Sequence, residues 1–201
     1  MLAVIDYGIG NLRSAVKAMA HVGESAQLVT TPEQLASAVG VVLPGVGDFG
    51  RCAAALDDGG WRGPLLEIAR SGIPFLGICV GFQLLYEASE ESPGAQGLGI
   101  FEGTSTRLGP GVKLPQIQWN ALHLTKPSRL LPASCEGEWM YFVHSFAPPL
   151  GSETVATCDY GGTVAAAVED GNVFGCQFHP EKSGHAGLEL LRRFATKAEE
   201  R

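Results

Sequence analysis

A chain of 201 residues has the size of one domain, at roughly 150 residues each, and buries about 70% of its unfolded surface without help from disulfides or metal. Its net charge of −7, with no basic cluster, argues against nucleic acid or an anionic membrane as partner. Charged residues make up 17% against roughly 25% in an average soluble domain, which leaves room for an under-charged patch of the kind a subunit hides against a partner. The 27 glycines are nearly twice the usual share of about 7%, so tight turns and close backbone approaches are expected. The five cysteines are odd in number and never fall in a CxxC or Cys/His spacing, so neither a disulfide framework nor a zinc site is expected, and no cofactor. Met1–Ile5 reaches Asp6 with no basic lead, and the most apolar stretch, 73–86, is broken by Pro74, Gly77, Gly81 and Gln83. No signal peptide or membrane span is predicted, and the expected location is the cytoplasm.

In chain order, Leu2–Ile5 reads as a buried strand and Asn11–Val22 as a helix with Leu12, Ala15, Val16 and Met19 on one face. Ala26–Val29 is a second strand, and Pro32–Ala38 a short helix entered through Thr31 as cap and Pro32 at its first position. Val39–Leu43 is a third strand. A helix around Pro64–Arg70 precedes a fourth, Pro74–Ile78. Apolar strands alternating with helices predict a parallel sheet covered on both faces. From Gly99 to Phe178 the runs become short, β-rich and punctuated by turns. Val164–Val168 and Val173–Phe178 read as a hairpin joined by Glu169-Asp170-Gly171-Asn172, and a last helix covers Ser183–Lys197. The predicted fold is a single α/β domain over residues 1–201: three layers, a flavodoxin-like mostly parallel sheet with helices on both faces, and an antiparallel β extension in the C-terminal half.

The strongest chemical signal is Gly77-Ile78-Cys79-Val80-Gly81, placed where a strand turns into a helix. This is a nucleophile elbow with Cys in place of Ser, whose flanking glycines remove side chains that would clash in the tight turn. A helix N-terminus also favours the thiolate. A thiolate nucleophile needs a base and the base an orienter. Phe178-His179-Pro180-Glu181 supplies both, since residues i and i+2 of an extended segment share a face and Pro180 is expected to hold it extended. His21, His123 and His185 lack a neighbouring acid at such spacing, and His144, in an apolar strand, reads as a core histidine.

Two Gly-rich loops need separate treatment. Gly45-Val46-Gly47-Asp48-Phe49-Gly50 fits GxGxxG but follows the third strand, and Gly8-Ile9-Gly10-Asn11-Leu12-Arg13 has Arg where the third Gly belongs, so neither suits a dinucleotide. Pro44-Gly45-Val46-Gly47, at a strand end beside the elbow, suits an oxyanion hole completed by the Val80 N–H. Gly47 lets the Val46–Gly47 peptide rotate at little cost, which would make such a hole switchable.

Together, Gly77-Ile78-Cys79-Val80-Gly81-Phe82-Gln83 and Phe178-His179-Pro180-Glu181 resemble the class I, or triad, glutamine amidotransferases. Asp6-Tyr7-Gly8-Ile9-Gly10-Asn11-Leu12, Leu43-Pro44-Gly45-Val46-Gly47, Tyr141-Phe142-Val143-His144-Ser145 and Lys182-Ser183 are similar to the glutaminase subunits of imidazole glycerol phosphate synthases. One departure is Gln118, where that group carries Gly. The resemblance implies that Cys79 attacks the side-chain amide of L-glutamine, that His179 passes the proton to the leaving ammonia, and that Glu181 holds the imidazole tautomer. It implies an oxyanion hole from Val46, Gly47 and Val80, and glutamine contacts from Gln83, Glu91 and Ser145. It also implies a heterodimer with a (β/α)₈-barrel cyclase that receives the ammonia for histidine biosynthesis, with Asn11, Trp119, Tyr141 and Lys182 at the interface. The glutaminase subunit of another amidotransferase, a stand-alone cysteine hydrolase on the same scaffold and a catalytically idle interaction subunit are the competing readings.

Overall fold

The computed structural model describes residues 1–22 and 25–199. Its first half contains β1 (Leu2–Ile5), α1 (Leu12–His21), β2 (Ala26–Val29), a 3-10 turn (Pro32–Ser37), β3 (Gly40–Gly45), α2 (Phe49–Asp58), α3 (Arg62–Ser71), β4 (Phe75–Cys79) and the single-turn α4 (Val80–Gln83). Short strands follow: β5 (Ala88–Ser89), β6 (Thr104–Arg107), β7 (Gln116–Ala121), β8 (His123–Leu124), β9 (Trp139–His144) and β10 (Phe146–Ala147). The chain ends in β11 (Thr154–Asp159), β12 (Thr163–Asp170), β13 (Val173–Cys176) and α5 (Gly184–Glu199).

The central sheet runs β2-β1-β3-β4-β13-β12-β11-β8. The first five strands are mutually parallel and the last three antiparallel, which is the flavodoxin-like order with an antiparallel flank. β1, β3, β4 and β13 are buried at every position because both faces are covered. β2 lies at the edge and leaves Gln27 and Leu28 exposed. α1 links β1 to the strand on one side and α2–α3 link β3 to the strand on the other. Right-handed crossovers in opposite directions put these helices on opposite faces. On the face of α1, α5 packs beside it, with Phe194 edge-on to Phe174 at 6.3 Å between ring centres.

Several boundaries differ from the sequence reading. The segment after Gly47 is no extended glycine loop. Asp48 accepts from the Arg51 N–H at 2.8 Å and caps α2, which buries Phe49, Cys52, Ala53 and Leu56. Those residues recur at helical spacing, a signal hidden by the glycine pattern. Pro32–Ser37 is 3-10 rather than α, with the Gln34 amide oxygen accepting from the Thr30 and Thr31 N–H groups. The predicted hairpin forms with a tighter loop, since Asp170 already pairs with Val173 and Gly171 takes φ +53°. Its second strand is also more central than a hairpin implies, because β13 pairs in parallel with β4 and so joins the two halves of the sheet. β7 and β9 form a separate two-stranded antiparallel ribbon that leans over the carboxyl ends of the central strands.

Candidate active site

Open α/β sheets place their sites beyond the carboxyl ends of the strands, and here β3, β4 and β13 deliver their ends to one spot. Gly45 of β3 stands in register with Cys79 of β4. Cys79 has φ 56° and ψ −113°, and among the described residues it is the one non-glycine at positive φ, the strain expected of a nucleophile elbow. The turn closes because its glycines have no side chains. A Cβ on Gly77 would meet the Gly81 carbonyl oxygen at 2.6 Å, and one on Gly45 would meet the Gly81 nitrogen at 2.5 Å. The helix after the elbow is a single turn, so its dipole contributes less to the thiolate than the sequence reading supposed.

The partners come from the far end of the chain. His179 Nδ1 lies 2.9 Å from Glu181 Oε1, and both side chains are almost fully buried. Burial works against a charged His179, but its hydrogen bonds to Cys79 and Glu181 and the negative charge on both outweigh it and push its pKa up to about 10. With Nδ1 on Glu181, the other ring nitrogen faces the Cys79 sulfur. The His179–Glu181 pairing was expected from an extended segment. Instead, His179 is extended but Pro180–Lys182 forms a 3-10 turn, which wraps the carboxylate back onto the ring. The turn is pinned to the ribbon: the His179 N–H donates to the Tyr141 carbonyl at 2.9 Å, and Ser183 Oγ bridges the His179 carbonyl and the Tyr141 N–H.

Cys79 opens into a cleft of about 250 Å³ lined by Val46, Gly47, Val80, Gln83, Glu91, Val143–Phe146, His179 and Lys182, a volume suited to a small polar molecule rather than a drug-sized one. The cleft therefore gathers Cys79 and His179, the three loop and elbow residues named for the oxyanion, and Gln83, Glu91 and Ser145, while Glu181 stands behind His179 in a separate small cavity. Gln83 is almost fully buried, and its amide nitrogen donates to the Phe146 carbonyl at 2.8 Å and to Gln177 Oε1 at 3.0 Å, so its amide oxygen is what remains for a ligand. Glu91 accepts from the Phe49 N–H at 2.9 Å, and burial raises its pKa against that bond. Its second oxygen is the acid available for an ammonium group.

One residue went unnoticed in the sequence. Gln177, fully buried, places its amide nitrogen 3.9 Å from Cys79 Sγ while its oxygen holds Gln83. It sits two positions before His179, and strand alternation would have put it on the same side. His144 is buried as expected, but it lines the cleft rather than a remote core. Its Nδ1 lies 2.9 Å from the Phe146 carbonyl, and burial, opposed by that bond and aided by the charge on His179, lowers its pKa to about 4.

The residues named for an interface separate into two places. Trp119 and Tyr141 are cross-strand partners in the ribbon, with ring centres 6.0 Å apart, and Lys182 Nζ sits 5.8 Å from the Tyr141 ring centre. The same outer face exposes Ile117 and Trp139, which the sequence reading had not singled out, and Gln118 is exposed beside them. Asn11 lies instead behind the loop at the end of β3, lining a small cavity with Val46, His179 and Glu181.

This constellation sets a cysteine at a strained turn beside a buried histidine–glutamate pair, and comparison with known proteins gives its class. The sequence profile of class I glutamine amidotransferases matches residues 3–198, and the chain belongs to that family. Among curated relatives it is similar to the imidazole glycerol phosphate synthase subunit HisH of Methanothermobacter thermautotrophicus, 47% identical over 96% of this chain and 97% of that one. It is also similar to the proteins of the same name from Desulfitobacterium hafniense, 44% identical over 96% and 93% of the two chains, and Deinococcus radiodurans, 42% identical over 95% and 91%. Two solved structures share the fold at 21% identity: a glutamine amidotransferase (TM-score 0.75, 98% of both chains) and PurLQS from Thermotoga maritima (TM-score 0.78, 97% of both chains). Among the described residues, no helix is long and apolar enough to cross a membrane.

Proposed function

We propose that this chain is the glutaminase subunit of an imidazole glycerol phosphate synthase, hydrolysing L-glutamine and handing the ammonia to a (β/α)₈-barrel cyclase in histidine biosynthesis. The observation that carries the reading is the buried Cys79–His179–Glu181 relay opening into a small cleft. The Cys79 sulfur attacks the carboxamide carbon of glutamine, and the carbonyl oxygen takes the negative charge beside the N–H groups of the Val46–Gly47 loop and Val80. Protonated His179 donates to the amide nitrogen as the C–N bond breaks, releasing ammonia and leaving a glutamyl thioester. His179, now neutral, takes a proton from water as that water attacks the thioester, and glutamate departs as the thiolate and imidazolium re-form. Glu181 keeps Nδ1 protonated throughout. Gln83, Glu91 and Ser145 hold the glutamine, with Glu91 at its α-ammonium. The exposed aromatic face of the β7–β9 ribbon, with Lys182, and Asn11 behind the loop meet the cyclase.

The test is glutamate release from glutamine by the chain alone, then with a barrel cyclase and its ribonucleotide ligand. Feeble turnover alone and a large rise with both is the expected result. Cys79→Ala should abolish it. Absence of glutamate under every condition, with Cys79 still alkylated at neutral pH, would instead point to a cysteine hydrolase of other specificity.

A further inference from the structure

Gln177 carries a fully buried carboxamide beside Cys79, a placement that costs free energy unless both ends of the amide are paired. Both ends are. Its oxygen accepts from Gln83 Nε2 at 3.0 Å, and its nitrogen stands 3.9 Å from Cys79 Sγ. The backbone at this position is fixed as well, since the Gln177 N–H donates to the Ala166 carbonyl of β12 at 2.9 Å.

The direction of both amides follows from one atom. The Phe146 carbonyl can only accept, so Gln83 turns its nitrogen and not its oxygen toward it, at 2.8 Å. The second hydrogen of that nitrogen then needs an acceptor. Gln177 supplies its oxygen, and the Gln177 nitrogen is left for the sulfur. Cys79 gives its own hydrogen to the Val143 carbonyl at 3.8 Å, so Gln177 meets a sulfur lone pair. With both hydrogens of the Gln83 amide spent, only its oxygen remains for a ligand. Turning that amide over would set its oxygen against two acceptors, the Phe146 carbonyl and Gln177 Oε1.

We propose that Gln177 is a positioning residue for glutamine binding: anchored at the Cys79 sulfur, its amide fixes which way Gln83 faces and so keeps the Gln83 oxygen presented to the substrate. This rests on the glutaminase reading above. One side chain thereby ties the nucleophile to a residue that holds the substrate, and the length of a single glutamine sets their separation. Methionine has a similar length and no amide, so it removes both links while filling the space.

The experiment measures kcat and KM for L-glutamine with the barrel cyclase and its ribonucleotide present. It compares wild type, Gln177→Met, Gln83→Met and the double variant, with thermal melting as the control for folding. Losing one neutral hydrogen bond at Gln83 should raise KM about threefold to tenfold in Gln177→Met. With Gln83→Met already in place, the same change should move KM by less than about twofold, because the side chain it acts through is gone. A Gln177→Met variant whose KM stays within about twofold of wild type would overturn the proposal and leave the glutaminase reading intact. So would an equal rise of KM in both backgrounds, which is what a general loosening of the site would give. If Gln177→Met does not fold, Gln177→Asn takes its place in the same cycle and is judged by the same outcomes, since its amide is one methylene too short to reach both partners. A wild type that releases no glutamate would overturn both the proposal and the reading it rests on.

Discussion

A Cβ placed on Gly81 would stand 1.9 Å from the Leu43 carbonyl oxygen, so the elbow and β3 touch backbone to backbone. The blocking atom belongs to a fully buried strand and has nowhere to go. Gly81→Ala should therefore cost at least the ~1–3 kcal/mol typical of an overpacked core, and displace the Val80 N–H from Cys79. Urea unfolding would show the loss, and a glutamate-release assay the accompanying fall in kcat.

Cys79 itself stores strain. Its backbone angles suit glycine, and a non-glycine there costs of order 1–3 kcal/mol. Cys79→Gly and Cys79→Ala are both expected to be inactive, but the glycine variant should unfold at the higher urea concentration, by about 1 kcal/mol after allowing for the looser unfolded chain. Equal midpoints would mean that the elbow is not strained.

Glu181→Gln tests the orienter. Without the carboxylate, His179 loses one of the partners that raise its pKa, and a glutamine can favour the wrong tautomer. A fall in kcat of roughly 10²–10⁴ is expected, by analogy with carboxylate-to-amide changes in other triads. The same coupling makes a statement about stability. A pKa raised from 6.5 to about 10 contributes stability in full below pH 6.5, and that contribution drains away as pH rises towards 10. Unfolding midpoints of the wild type should decline across that alkaline window, and those of Glu181→Gln should decline less.

His144 acts on the other side of neutrality. With a folded pKa near 4, it stays neutral while the unfolded chain takes up its proton below about 6.5, so stability is lost as pH falls from 6.5 towards 4. His144→Asn, which keeps a donor for the Phe146 carbonyl, should flatten the acid arm of the stability profile while leaving the alkaline arm as it was.

The ribbon face separates folding from assembly. Trp139 is 58% exposed and is not part of the central sheet, so Trp139→Ala should change stability by less than ~0.5 kcal/mol. If the face meets the cyclase, that substitution should weaken association by a factor of ten or more, as buried interface tryptophans do. Titrating the cyclase into the variant while following stimulated glutamate release measures this directly.

The residues that were legible in the sequence share one property: their neighbours in the chain are also their neighbours in space. The elbow announces itself because Gly77 and Gly81 flank Cys79, and His179 and Glu181 are two residues apart. Parallel strands were found because burial on both faces leaves unbroken apolar runs. What stayed hidden depends on contacts across the fold. Gln177 matters only because β13 lies beside β4. The helix α2 was obscured by a glycine pattern that suggested a loop. Ile117 and Trp139 stand out only once the β7–β9 register puts them on the face opposite buried Phe142 and His144.

The place of β13 has a consequence for how the protein comes into being. The nucleophile is complete when β4 has been made, yet the strand that brings its base pairs with β4 from about a hundred residues further on, Val173 against Phe75. Until β13 pairs, β4 is the open edge of a four-stranded half-sheet and His179 is missing from the elbow. Under the glutaminase reading proposed above, a chain that stops before β13 has Cys79 without its base and should release no glutamate: the residues from Val173 onward complete what the first half has built.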